Sequence, residues 1–185
     1  LLHSPEQIVD STHKSELLLV KQADQPVAGE LTVYNGLPVL FCVGVLDGDP
    51  KYLSQGALSA AYYFAFLHLK EQGYGAVDMG ASRGFLLDGV LQYKRKWGLH
   101  LAGLRENVFY IEVLKQEEGA KAFLLNNPFL FVDGKGIGSA GFFEADSFPT
   151  EQSFRKYLMS LMLPGVTRCV ACLLYTSDAA DDLLC

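Results

Sequence analysis

Basic residues are in short supply in this 185-residue chain: 15 Lys and Arg face 21 Asp and Glu, for a net charge of −6. That balance excludes a broad cationic surface, and with it bulk binding to nucleic acid, DNA included. Cysteine is scarce, four in all. Cys169 and Cys172 spell C-V-A-C, but one CxxC without a second ligand pair is a weak metal pattern. Cys42 and Cys169 read as reduced, buried small hydrophobes. The histidines at positions 3, 13, 68 and 100 form neither HxH nor HExxH, and no Ser-His-Asp or Cys-His grouping assembles around them. Long apolar runs are missing too. The longest, Ala57 to Leu69, falls short of the ~20 residues a bilayer requires, so no membrane span and a cytoplasmic location are expected. The opening "LLHSPEQIVDSTHKSELLLV" has no basic segment leading into an apolar block, so it is not a signal peptide. It starts with Leu and reads as the inside of a longer gene product.

What the chain does have is core-forming material. Half of its residues are hydrophobic, enough for one domain, or one and a part. "SELLLVKQ" (Ser15 to Gln22) reads as a buried strand. Val27 to Tyr34 and Pro38 to Leu46 read as a hairpin across Asn35-Gly36, a strong hairpin turn signal. A long, largely buried helix is expected from about Gly56 to Gln72, closed by Gly73. "GAVDMGAS" (Gly75 to Ser82) reads as a short core strand, the stretch from Val90 as a short helix ending at Gly98, and Asn107 to Lys115 as another strand. Beyond Gln116 come a helix stopped by Pro128, a second hairpin over "FLFVDGKGIGSAGFFE", an amphipathic helix starting near Pro149 and a strand over "GVTRCVA". The fold class is α/β (α+β), with a mixed, mostly antiparallel sheet and flanking helices: an antiparallel meander followed by a β-α-β crossover. Ligands in such sheets prefer the place where strands splay or their order switches.

Within this acidic chain, "VLQYKRKWGL" sets Lys94, Arg95 and Lys96 side by side, next to Tyr93 and the lone Trp97. At about 100° per residue, Lys94 falls inside an apolar arc of Leu87, Val90, Leu91, Tyr93 and Trp97. Arg95, Lys96 and Gln92 fall on the other side with Asp88. A buried ammonium must snorkel, pair with a carboxylate or face a cleft that receives an anion. Asp78, in the apolar "AVDMG" stretch, is a candidate partner, and Arg83 competes for it. A structural brace and a functional cation both remain open at this point.

The segment from Tyr62 to Gly98 carries a resemblance. Gly73-Tyr74 at a helix end, Asp78-Met79-Gly80-Ala81-Ser82-Arg83, and Tyr93-Lys94-Arg95-Lys96-Trp97-Gly98 together resemble the central part of the FemAB-like, cellulose-biosynthesis-type acetyltransferase branch of the GNAT superfamily. Met79 stands where an aromatic is usual. The likeness covers roughly Ser15 to Lys115 and implies a GNAT-like fold. It also implies transfer of an acyl or aminoacyl group from acyl-CoA or aminoacyl-tRNA to an amine acceptor, in some cases a cell-envelope precursor. On that pattern Lys94 and Asp78 are the expected catalytic residues: Lys94 stabilises donor phosphate or oxyanion charge, and Asp78 positions it or acts as a base. Arg83, Gly56, Tyr93 and Ser82 are the expected donor-binding residues. No metal and no covalently bound cofactor is expected, and tRNA is a possible partner. The usual pyrophosphate loop is not intact in "KYLSQGALSAAYY", although Gly56 and the helix start behind it retain backbone N–H groups that suit phosphate.

The expected division is a GNAT-like domain over residues 1–115, truncated at its front, the start of a second α/β unit or extension over 116–171, and a tail over 172–185. "CLLYTSDAADD" in that tail resembles the translation of a sequencing-library adapter. "GIGSAG" (Gly136 to Gly141) matches GxGxxG, but strand-like "FFEADSF" follows where a dinucleotide site needs a helix, so it reads as a hairpin turn. The alternative to an acyltransferase is a non-catalytic GNAT-like module that binds a ligand or partner. A weaker third reading is contact with single-stranded RNA through Arg95, Lys96 and Trp97.

Overall fold

The computed structural model describes residues 14–103, 111–112, 117–134 and 136–174. The chain divides into two compact units, Leu1–Gly80 and Ala81–Cys185. The class is mixed α+β, with one three-stranded sheet in each unit. The boundary expected at 115/116 lies outside the described residues.

In the first unit, β1 (Ser15–Gln22), β2 (Gln25–Asn35) and β3 (Leu37–Val45) form an antiparallel meander. Gly36 makes the β2–β3 turn, with φ +77° in the left-handed region, as Asn35-Gly36 predicts. A short helix α1 (Pro50–Ser54), capped by the Asp49 side chain on the Lys51 N–H, precedes α2 (Ala57–Glu71). Gly73 ends α2 with φ +89°. The helix is buried along a single stripe of Ala57, Ala61, Tyr62, Ala65 and Leu69, whereas Tyr63, Phe64 and Leu67 are exposed. The broad burial expected from its composition is therefore not met. Ala57 and Ala61 pack on Val27 and Ala28, with Val20, Val43, Val45 and Tyr52 around them.

After α2 the chain returns to the sheet. The Asp78 N–H donates to the Pro38 carbonyl and the Leu40 N–H to the Asp78 carbonyl, both at 2.8 Å, in a parallel bridge between Val39 and Asp78. The strand expected over Gly75–Ser82 is reduced to this bridge.

In the second unit, α3 (Gly89–Arg95) starts at Asp88, whose Oδ1 accepts from the Val90 and Leu91 N–H groups. α4 (Glu118–Asn126) leads into β4 (Phe129–Asp133), antiparallel to β5 (Gly136–Phe143). α5 (Glu151–Leu161), with a Thr150–Ser153 capping box, crosses to β6 (Val166–Leu173), which lies parallel to β5. Leu86, Leu91, Leu161 and Leu163 form the core here. "GIGSAG" is not a turn but β5 itself; the turn comes earlier, at Gly134. Its glycines are required by packing: a Cβ on Gly138 would run into the Phe131 ring, and one on Gly141 into the Tyr157 hydroxyl and Leu161. β6 extends to Leu173 with Cys172 buried, so the strand takes in the first two residues of the expected tail. Residues 175–185 lie outside the described residues, as does most of the strand expected over 107–115. No helix among the described residues is long and apolar enough to cross a membrane.

Candidate functional site

The first unit holds a cleft between α2 and the β1–β2 ladder. Antiparallel register sets Glu16 opposite Thr32 and Leu18 opposite Glu30. Alternation along each strand then puts Glu16, Leu18, Glu30 and Thr32 on one face, the face that α2 crosses. The resulting open cleft of about 690 Å³ is lined by Glu16, Glu30, Thr32, His68 and Glu71, with Leu17, Leu18, Phe64, Ala65 and Leu67 as its apolar part.

Two carboxylates in this cleft behave in opposite ways. Glu30 is 1% exposed. The Thr32 hydroxyl donates to its Oε2 at 2.7 Å, while its Oε1 is buried without a hydrogen-bond partner. Desolvation pushes its pKa up to about 7, with the Thr32 hydrogen bond pulling the other way; burial in apolar surroundings penalises the charged form. Glu16 sits toward solvent among donors. Lys14 Nζ lies 2.6 Å from its Oε1. Its Oε2 accepts from the Tyr34 hydroxyl at 2.6 Å and lies 3.0 Å from His68 Nε2, with Gln72 Nε2 at 3.4 Å. Lys14 first, then Tyr34 and His68, hold the Glu16 pKa down at about 2. The Tyr34 phenol is pushed up, by burial and then by Glu16. One group in the cleft is thus poised to exchange a proton near neutrality, and the other is a fixed anion.

The expected site residues are distributed over both units. In the first, the Asp78 Oδ1 accepts from the Gly80 N–H at 2.7 Å, an Asx-type turn that leaves the carboxylate engaged with its own loop. Gly56 precedes α2 with φ +80° and no side-chain cap. In the second unit, Ser82 and Arg83 lie on an exposed loop. That loop is pinned to β4 by the Leu86 N–H on the Pro128 carbonyl and the Leu130 N–H on the Gly84 carbonyl. Tyr93 packs edge-on against Trp97, with centroids 6.4 Å apart. Lys94 is 4% exposed, and its ammonium donates to the Ala81 carbonyl at 2.8 Å. The helical-phase argument therefore places Lys94 inside, with Arg95 and Lys96 outside. Of the apolar arc expected around it, Leu91 is buried and Tyr93 and Trp97 are half-buried, whereas Leu87 and Val90 are exposed.

The sequence reading missed Glu30 and Glu16. The available signal for Glu30 was a lone acid inside "VAGELTVY", on the same strand face as Ala28 and Thr32. Among the described residues no group of three or more His, Cys, Asp or Glu is placed to hold a metal, and Cys42, Cys169 and Cys172 are in no disulfide, with Cys42 exposed rather than buried. Comparison with known proteins finds none that matches this chain: no family model, no curated protein and no solved structure.

Proposed function

We propose that this chain is a cytoplasmic N-acyltransferase of the GNAT type, FemAB-like, moving an acyl or aminoacyl group from acyl-CoA or aminoacyl-tRNA to an amine acceptor such as a cell-envelope precursor. The observation that carries the reading is the path of the first unit. An antiparallel meander runs into a 15-residue helix, and the chain then returns parallel to β3 at Asp78. That is the meander-and-crossover order read from the sequence pattern, it is compatible with the GNAT-like fold that the resemblance implies, and it leaves Gly56 at the α2 N-terminus, where backbone N–H groups suit a donor phosphate. The acceptor nitrogen, as free amine, attacks the acyl carbonyl carbon. The bond to the thiol or ribose oxygen of the donor breaks, and the proton lost by nitrogen passes to a base. Lys94 is assigned to developing negative charge. Ser82, Arg83 and Tyr93 are assigned to the donor, and Asp78 to positioning or proton transfer.

A second reading, a non-catalytic ligand-binding module of the same architecture, is favoured by one contact: the Lys94 ammonium already donates to the Ala81 carbonyl, as a brace would. Transfer of radiolabelled acetyl from acetyl-CoA, or aminoacyl from aminoacyl-tRNA, to a panel of amines tests both. Transfer that Lys94→Ala abolishes while the fold survives supports the enzyme. Thermal stabilisation by a donor without transfer favours the binding module, and the absence of both stabilisation and transfer refutes the GNAT-type assignment.

A further inference from the structure

Four asparagines occur in this chain, and those among the described residues sit in contrasting settings. Asn126 and Asn127 are tied down: the Asn126 Nδ2 donates to the Ala122 carbonyl and the Asn127 Nδ2 to the Phe123 carbonyl, each at 2.8 Å. Asn127 is followed by Pro128, which has no backbone N–H. Asn35 is different. It ends β2 and is exposed together with Gly36 and Leu37. Its carboxamide makes no hydrogen bond among the described residues. Gly36 turns the chain at φ +77°, with no atom beyond its chain neighbours within 4 Å of where a Cβ would stand. Without a Cβ, the Gly36 nitrogen is open to close approach.

We propose that Asn35 is a site of spontaneous covalent modification, closing onto the Gly36 nitrogen to a succinimide that water opens to aspartate and isoaspartate. The Gly36 nitrogen bonds to Asn35 Cγ and the Cγ–Nδ2 bond breaks. The side-chain nitrogen leaves as ammonia, carrying the hydrogen that Gly36 gives up. Water then adds across one of the two ring C–N bonds. Opening at Cγ restores the ordinary backbone as aspartate. Opening at the Asn35 carbonyl carbon routes the backbone through the side chain as isoaspartate, one carbon longer. Water is the co-reactant, and no oxidant or reductant is needed. Either product adds a carboxylate at the end of the hairpin, next in sequence to Tyr34, whose hydroxyl donates to Glu16. Isoaspartate also lengthens the link that closes the Asn35–Leu37 and Tyr34–Pro38 pairs. The site lies within the first unit and stands apart from the acyl-transfer reading.

The test incubates the full chain at pH 8, folded and in guanidinium chloride, and maps its peptides by mass spectrometry, with chromatography separating aspartate from isoaspartate. Asn35 should convert in the folded chain within roughly tenfold of its rate in denaturant, because so little restrains it. Isoaspartate should be among the products, and folded-state conversion of Asn126 should be at least tenfold slower. Gly36→Ala should slow conversion at least tenfold by placing a Cβ beside the attacking nitrogen. That comparison is made in denaturant as well, so a variant that fails to fold still decides. Folded-state conversion of Asn35 far below a tenfold margin of the denatured rate, or no faster than that of Asn126, overturns the proposal. So does an undiminished rate in Gly36→Ala, or aspartate as the sole product, the outcome of direct hydrolysis without a ring.

Discussion

Glu30→Gln makes a sharp prediction. The carboxyl titrates at about 7 in the folded chain, against an ordinary value of 4.5. A raised pKa means that the folded state holds the proton more tightly than the unfolded state. The stability this contributes is complete below pH 4.5 and is lost as pH climbs from 4.5 through 7. Above 7 the loss levels off at about 3–4 kcal/mol, the cost of raising the carboxyl from 4.5 to about 7 at ~1.4 kcal/mol per pH unit. Between pH 5 and pH 8 the wild type should therefore lose roughly 2–3 kcal/mol relative to Glu30→Gln, whose amide does not ionise. The measurement is a urea titration of both proteins at each pH, followed on the amide signals of β2 (Gln25–Asn35), which report the first unit by itself. Glu30→Gln should gain ground on the wild type as pH rises and overtake it on the alkaline side. A stability difference that stays constant from pH 5 to pH 8 would refute the burial argument.

Glu16 should show the opposite slope: held at about 2 by Lys14, Tyr34 and His68, it contributes stability above its unfolded pKa and loses it as pH falls from 4.5 toward 2. Acid unfolding of Glu16→Gln should lack that component. Lys94→Met keeps the stem but leaves the Ala81 carbonyl without its ammonium donor, at a cost of about 1–3 kcal/mol in urea denaturation; an unchanged midpoint would mean that the ammonium does not brace the loop. Gly138→Ala puts a methyl group against the Phe131 ring and should destabilise by about 1–3 kcal/mol, with partial recovery in the double variant with Phe131→Leu. If Phe131→Leu restores nothing, the collision is not what makes glycine necessary there.

Local signals in the sequence translated well where one neighbour settles the outcome. Asn35-Gly36 fixed its turn, Gly73 ended its helix, and Lys94 turned inward because helix phase depends only on spacing. Signals that depend on remote partners did not translate. "AVDMG" has strand composition, yet only one pair of residues bridges to β3, since a strand exists only where a neighbour supplies hydrogen bonds. The glycines of "GIGSAG" look like turn residues, but Phe131, across the hairpin from Gly138, and Tyr157 on α5, beside Gly141, demand them. Glu30 was hidden for the same reason. Whether an acid on one strand face is solvated or buried depends on which face a later helix covers, and that is a tertiary choice. The amphipathic pattern of α2 was too uniformly apolar to reveal it, with Tyr63, Phe64 and Leu67 ending up exposed.

The crowding on one oxygen of Glu16 has a consequence for how this part of the molecule tolerates change. Tyr34, His68 and Gln72 all approach the same Oε2, more suitors than two lone pairs accommodate at full strength. Gln72 Oε1 and Nε2 also lie within reach of the Tyr34 hydroxyl and His68 Nε2, so each member has a substitute when another is lost. Sequence drift can thus erase Tyr34, His68 or Gln72 singly at little expense, whereas replacing Glu16 removes the acceptor that all of them share. The arrangement is redundant in its donors and singular in its acceptor.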